Sequence, residues 1–210
     1  MSNSDLTRPH VFQAGTNNRV LLLLHGTGAD EHDLLNLGRA LDPNASLLSP
    51  RGMHLEAGMN RFFERYPDGT FNEDSIDTAV EELAGFVSAA AQHYDLVGKE
   101  LIAVGFSNGA NTASALLVRR PEVLDGAVLF GSTKPYKNPA LADLTGKRIW
   151  LANGDLDAYA PVSVSENWVA LLTSFGATVS WLRHPGGHQI SSAHVAVSYT
   201  HLRAHETEAD

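Results

Sequence analysis

Short aliphatic runs without a polar residue recur along this chain, and each is followed by a turn rich in glycine or proline. The first is Val20 to Leu24, and later ones lie within "LIAVGF", "GAVLF" and "RIWLANG". Such runs are typical of strands buried on both faces of a parallel sheet. Segments with helical spacing alternate with them. The pattern therefore predicts an α/β fold, a mostly parallel sheet with helices on both faces.

The helical segments can be placed between the strands. Apolar spacing predicts helices over residues 33–41, 72–94, 108–120 and 162–175, and the start of another within "HQISSAHVAV". Residues 52–72 follow neither a helical nor a strand period, and we expect a long loop there. No repeat or linker divides the chain, so a single domain is expected over residues 1–198.

Residues 199–210 differ from the rest of the chain. The segment lacks a clean apolar stripe and resembles the translated adapter tails that end some metagenomic reading frames. We expect a tail that is foreign to the domain or poorly ordered, and we assign it no function.

Charge and composition narrow the function classes. The net charge of −9 disfavours nucleic acid and anionic membranes as partners, because phosphate groups are bound by basic surfaces. The chain has no cysteine, so a disulfide or a thiol nucleophile is excluded. No apolar run reaches the roughly 18 residues of a membrane span, and the N-terminus lacks a signal-peptide core. We expect a cytoplasmic protein, without membrane insertion, that acts on a small molecule.

The stretch "GFSNG" carries the strongest chemical signal. It matches G-x-S-x-G between a predicted strand and a predicted helix, where a nucleophilic serine sits at the apex of a tight turn. Ser107 is the candidate nucleophile. A glycine-rich turn with a helix-capping serine is the alternative interpretation.

A serine hydroxyl needs a base, which in turn is oriented by an acid. Two later turns supply candidates at the same sheet edge: Asp155 and Asp157 in "ANGDLDAYAP", and His184 and His188 in "HPGGHQI". Either aspartate could serve as the acid. We favour His188 as the base because a loop after two glycines can bring it over the serine.

Ester hydrolysis also needs donors for the carbonyl oxygen as it becomes negative. The backbone N–H of Asn108, directly after the serine, is one candidate. The other is Thr27 in "HGTG", after the first predicted strand. His25, in the same motif, is a rival base, but its position favours a role in shaping that loop.

Other residues in the long loop have two interpretations. Phe62, Phe63 and Met59 either pack the loop onto the body or wall a substrate pocket. Arg61 and Arg65 are expected at the surface, with recognition of a substrate carboxylate as the alternative. His201 and His205 stand one helical turn apart, but a third ligand is missing nearby, so we expect no metal site.

Taken together, these motifs resemble the small α/β-hydrolases of the phospholipase/carboxylesterase family, which includes the acyl-protein thioesterase-like enzymes. The resemblance rests on "LLLLHGTGADEHD", "GMNRFFERYPDGTFNEDSI", "GFSNGANTASALL", "VLFGS", "NGDLDAYAP" and "PGGHQI", and spans about residues 10 to 195.

The resemblance has specific implications. It implies an α/β-hydrolase fold without a large cap domain, and a serine esterase that needs no cofactor. Its G-x-x-D-x-x-x-P pattern falls on Gly154, Asp157 and Pro161, which makes Asp157 the acid. Its histidine falls on His188 and its oxyanion donors on Thr27 and Asn108. It is also compatible with a homodimer, with an acyl thioesterase or lysophospholipase, and with a binding protein that lacks turnover.

Overall fold

The structure is a computed structural model that describes residues 6–192 and residue 195. Its strands are β1 (His10–Gln13), β2 (Arg19–Leu24), β3 (Ser46–Pro50), β4 (His54–Glu56), β5 (Met59–Arg61), β6 (Glu100–Phe106), β7 (Gly126–Phe130), β8 (Arg148–Gly154) and β9 (Thr178–His184). Its helices are α1 (Leu35–Leu41), α2 (Glu73–His93), α3 (Asn108–Arg119) and α4 (Val162–Ser174). The predicted tail at 199–210 and most of the predicted last helix lie outside the described residues.

A mostly parallel sheet forms the centre of the molecule. Within the described residues it has seven strands in the order β1-β3-β2-β6-β7-β8-β9. Of these seven, only β1 runs antiparallel to its neighbour, β3, and the other pairs are parallel. The predicted parallel sheet is therefore confirmed. The N-terminal edge strand β1 was not predicted, because its four residues are only partly buried.

Helices cover both faces of this sheet, as predicted. Leu21 and Leu23 of β2 are fully buried in one cluster, which includes Leu41 of α1. Leu22 and Leu24 alternate with them and point into a larger cluster that takes its helical residues from α2, α3 and α4. Because successive residues of a strand point to opposite faces, a strand buried on both sides contains an unbroken apolar run.

The excursion at residues 52–72 contains a small hairpin rather than only a loop. Strands β4 and β5 pair antiparallel across a turn in which Ala57 and Gly58 both have positive φ, 50° and 81°. Three-residue strands are too short to show a period, which explains why sequence patterning did not predict them. In the described part of the chain they are the only strands of the excursion, and no cap domain is present.

The carboxyl ends of β2, β6, β7, β8 and β9 lie side by side. The turns that follow these strands contain the candidate residues of the sequence analysis, which brings distant parts of the chain to one edge. Among the residues described, no helix is both long enough and apolar enough to cross a membrane.

Candidate active site

Ser107 occupies a strained turn between β6 and α3. Its φ is 53° and its ψ is −115°, a region that non-glycine residues rarely adopt. A Cβ at Gly105 would stand 2.7 Å from the Cα of Ala110, and one at Gly109 would overlap the backbone of Leu24. Both glycines are therefore required for the helix to approach the strands closely. The result is a serine whose side chain projects from the apex of the turn.

His188 and Asp157 are brought to this serine. The Nε2 atom of His188 lies 2.9 Å from Ser107 Oγ, and its Nδ1 lies 2.7 Å from Asp157 Oδ2. These positions assign the proton to Nδ1, where it is donated to the carboxylate, and leave Nε2 as the acceptor for the serine hydroxyl. A hydroxyl, an imidazole and a carboxylate in this order can move a proton off the serine.

The Asp157 carboxylate is fixed by the backbone. Its Oδ1 accepts hydrogen bonds from the N–H groups of Tyr159 at 2.8 Å and Ala160 at 2.9 Å. Its side chain is only 1% exposed. The other candidate acid, Asp155, is exposed and receives a hydrogen bond from Arg183 Nε at 2.6 Å. The structure thus brings Asp157, and not Asp155, to the imidazole.

The two rival histidines have other contacts. His184 is buried at the end of β9, and its Nδ1 accepts from the N–H of Gly186 at 3.0 Å. His25 is 1% exposed; its Nδ1 donates to the carbonyl of Gly26 at 2.7 Å, and its Nε2 accepts from Gly52 N–H at 2.9 Å. Burial lowers the pKa of His25 below its usual value. A neutral ring with both nitrogens engaged shapes the loop before Thr27 and has no free nitrogen to act as a base.

The Thr27 loop is braced by the hairpin. Arg61 Nη1 donates to Thr27 Oγ1 at 2.8 Å, and Gly28 N–H donates to the carbonyl of Asn60 at 2.9 Å. The amide of Asn60 in turn donates to the carbonyl of Ala29 at 2.9 Å. Because the side chain and the flanking backbone are held, the orientation of the peptide at Thr27 is fixed.

Asn108 is the first residue of α3, so its N–H is among those without a partner inside the helix. Its side-chain oxygen accepts a hydrogen bond from the N–H of Phe62 at 2.7 Å. This bond ties the excursion to the turn that carries Ser107. Thr27 and Asn108 both line the cleft that contains Ser107.

A cleft of about 520 Å³ opens beside Ser107 and His188. Of the three residues with two interpretations, Met59 lines the cleft, whereas Phe62 and Phe63 are 6% and 0% exposed and pack in the core cluster. Their burial anchors the excursion on the core of the domain. Much of the lining was not predicted from the sequence; these residues are Ala29, Phe71, Phe106, Asn111, Gly131, Thr133 and Tyr159. Phe106 could have been found from its position next to the serine, but the other lining residues have no comparable signal.

Charged groups also line the cleft. Arg61 and Arg65 do so, and Arg61 is only 3% exposed, so its expected surface position is wrong. Burial lowers the pKa of the Arg61 guanidinium. The Arg61 side chain is buried because it donates hydrogen bonds to two groups inside the excursion and the Thr27 loop. Nη1 donates to the hydroxyl of Thr27, and Nε donates to the carbonyl of Phe63 at 3.1 Å.

Buried hydrogen bonds hold the ends of β7 and β8 below the cleft. The amide of Asn153 donates to the carbonyl of Ser132 at 2.9 Å and to the hydroxyl of Ser165 at 2.7 Å. Asn111 of α3 accepts from the N–H of Thr133 at 2.7 Å. A satisfied polar network of this kind fixes the relative positions of neighbouring strand ends, and so of the turns that they carry.

A group of metal-ligand type lies in the turn before α1. Among the described residues, Asp30, Glu31 and His32 have ligand atoms within 4.8 Å of one another. Glu31 is engaged by Arg51, whose Nη2 donates to Oε1 at 2.7 Å. Because the Glu31 carboxylate is already paired with a guanidinium, we assign no metal to this group. His201 and His205 lie outside the described residues.

Known proteins resemble this chain over most of its length. The model of the phospholipase/carboxylesterase family matches residues 11–206. MhqD of Bacillus subtilis (strain 168) is 42% identical over 182 residues, which cover 87% of this chain and 91% of that protein.

Solved structures agree with this match. The carboxylesterase of Bacillus cereus is 39% identical, with a TM-score of 0.90 over 94% of each chain. Atu2452 of Agrobacterium tumefaciens str. C58, a protein of unknown function, is 33% identical, with a TM-score of 0.87 over 97% of this chain and 98% of that one. The expected α/β-hydrolase fold is confirmed, and this chain belongs to the phospholipase/carboxylesterase family of hydrolases.

Proposed function

We propose that this protein is a carboxylesterase that cleaves esters of small or medium size with Ser107, His188 and Asp157 as a catalytic triad. The observation that carries the proposal is the continuous pair of hydrogen bonds from Ser107 through His188 to Asp157, at 2.9 Å and 2.7 Å. Its family membership and the Bacillus cereus carboxylesterase among its structural relatives support esters as the substrate class.

The first half of the reaction forms an acyl-enzyme. His188 Nε2 takes the proton of the Ser107 hydroxyl as Oγ attacks the carbonyl carbon of the ester. The carbonyl oxygen becomes negative and accepts hydrogen bonds from the backbone N–H groups of Thr27 and Asn108. When the C–O bond breaks, the imidazolium gives its proton to the departing alcohol. Asp157 stabilises the positive ring and keeps its Nδ1 proton in place.

The second half releases the acid. A water molecule gives a proton to His188 Nε2 while its oxygen attacks the acyl carbon, and the same two N–H groups hold the oxyanion. The collapse of this intermediate returns the proton to Ser107 Oγ and frees the carboxylic acid. Every proton moves between side chains of the chain itself and the reactants, so the scheme calls for no metal or organic cofactor.

An ester panel tests this function. We expect the wild type to hydrolyse para-nitrophenyl esters, with the highest kcat/KM at short or medium acyl length. Ser107→Ala should lower kcat by about 10⁶-fold, as in other serine triads. A rate that rises towards long chains, or a higher rate on an acyl-CoA, would instead favour a lysophospholipase or thioesterase. A folded wild type that hydrolyses none of these substrates would favour a binding protein.

A further inference from the structure

One wall of the cleft beside Ser107, formed by Arg61 and Arg65, carries more positive charge than the carboxylate bound to it offsets. Arg61 and Arg65 both line it, and both reach the same carboxylate, that of Glu56. Arg65 engages Glu56 closely, with Nε 2.9 Å and Nη2 2.7 Å from Oε1. The Nε of Arg61 lies 3.3 Å from Oε2. The two guanidinium cations of Arg61 and Arg65 therefore share the single carboxylate of Glu56. One positive charge on the wall that these two arginines form is left without an anionic partner.

The remaining contacts of Arg61 are to neutral groups. Its Nη1 donates to the hydroxyl of Thr27 and its Nε to the carbonyl of Phe63. Asp33 also lines the cleft, but it is exposed, in the turn before α1, and the acidic residue that pairs with Arg61 is Glu56. Since the whole chain carries 15 basic and 24 acidic residues, a cationic wall at this position is unexpected from composition.

We propose that this wall selects esters that carry a carboxylate on the acyl or the alcohol part, with Arg65 and Arg61 as the specificity-determining residues. The inference deepens the proposed esterase function and rests on it. A planar guanidinium is suited to a carboxylate, and a partly buried cation discriminates a charged ligand from its neutral isostere more strongly than an exposed one.

The charge of the wall can be changed in both directions. Arg65→Gln removes the excess positive charge, and Glu56→Gln adds a further one. Arg120→Gln makes the same charge change as Arg65→Gln at the C-terminal end of α3, where Arg120 pairs with Glu122 at the surface. It is therefore a matched control for net charge.

Two substrate pairs report the selectivity. One compares para-butyryloxybenzoate with its methyl ester, and the other compares the mono-para-nitrophenyl ester of adipic acid with its methyl-capped form. Both members of a pair are assayed on the same preparation, so the ratio of kcat/KM for the anionic to the neutral substrate cancels differences in active enzyme. The leaving groups of the first pair differ in intrinsic reactivity, but this difference is the same for every variant, and the adipate pair shares one leaving group. The ratio also cancels any effect of Arg61 on the oxyanion, because that effect acts on both members.

We expect a wild-type ratio above one for at least one pair. Arg65→Gln should lower this ratio by about three- to tenfold and Glu56→Gln should raise it similarly, while Arg120→Gln leaves it unchanged; added salt should weaken the preference. A wild-type ratio of one or less for both pairs would overturn the inference, as would Arg65→Gln and Glu56→Gln moving the ratio in the same direction. If the wild type cleaves none of the four esters, the proposed esterase function itself fails.

Discussion

Gly131 lies directly against the imidazole of His188. A Cβ at residue 131 would stand 2.7 Å from Cε1 and 3.0 Å from Nδ1 of that ring, and the φ of Gly131 is 63°. The turn after β7 therefore sets the position of the ring, although Gly131 was given no role in the site from the sequence. An imidazole that must face both Ser107 and Asp157 tolerates little displacement.

Gly131→Ala should push the ring of His188 away from the serine. We expect kcat for ester hydrolysis to fall by about 100-fold, because a displacement of about 1 Å can cost that much. The positive φ should also destabilise the fold by about 1 to 2 kcal/mol. Kinetics and thermal unfolding measure the two effects.

Gly146→Ala is the matched control for backbone strain. Gly146 has a φ of 81°, and a Cβ added to it would have no neighbour within 4 Å. We expect a similar loss of stability with unchanged kcat. Equal kcat losses in the two variants would contradict the steric account.

Asp157→Asn and Asp155→Asn distinguish the acid. The first change would present an amide to His188 and disfavour the required tautomer, so kcat should fall by about 10⁴-fold. Asp155 contacts Arg183 at the surface, and its replacement should leave kcat nearly unchanged. Steady-state kinetics on one para-nitrophenyl ester suffices. If Asp155→Asn were the more damaging change, the acid would be misassigned.

Thr27→Val keeps the backbone N–H but removes the acceptor for Arg61 Nη1. A buried charged donor would lose its partner, at a cost of about 1 to 3 kcal/mol, and the loop would lose its brace. We expect a kcat reduced by about tenfold or more, whereas Thr27→Ser, which retains the hydroxyl, should stay near the wild type. Equal kcat values for both variants would show that the hydroxyl does not position the loop.

Stability should depend on pH through His25. Its folded pKa is lowered by burial, so the folded state holds it neutral while the unfolded chain takes up a proton below the ordinary histidine pKa of 6.5. Its contribution is therefore complete above pH 6.5 and is lost as the pH falls towards the folded pKa.

Denaturant unfolding between about pH 7.5 and about pH 5.5 measures this effect. The free energy of unfolding should fall with decreasing pH more steeply for the wild type than for His25→Gln, by at most about 1.4 kcal/mol per pH unit. Parallel pH dependences would mean that His25 takes up its proton equally in both states.

The turns at the strand ends, which carry the candidate catalytic residues, were easier to predict from the sequence than the residues that line the cleft. The turn at Ser107 was predictable because it needs Gly105 and Gly109 for close packing. Spacing alone did not decide whether Asp155 or Asp157 is the acid, since both follow β8 closely. The two carboxylates point in different directions. The N–H groups of Tyr159 and Ala160 hold the Asp157 carboxylate in the orientation that faces His188.

The residues of the excursion were harder to place. Apolar and cationic side chains in an irregular segment can face the core, the cleft or the solvent, and their sequence does not distinguish these cases. Phe62 and Phe63 face the core, Met59 faces the cleft, and Arg61 is buried against Thr27. Each outcome follows from the β4–β5 hairpin, whose strands are too short to be recognised in a sequence.

Ester hydrolysis by this protein requires Ser107 to be a nucleophile that His188 and Asp157 activate. Treatment of the folded protein with a fluorophosphonate, followed by intact-mass measurement and peptide mapping, tests this directly. We predict one adduct per chain, on the peptide that contains Ser107, and none in Ser107→Ala. A folded wild type that remains unmodified, or an adduct on a different residue, would contradict it.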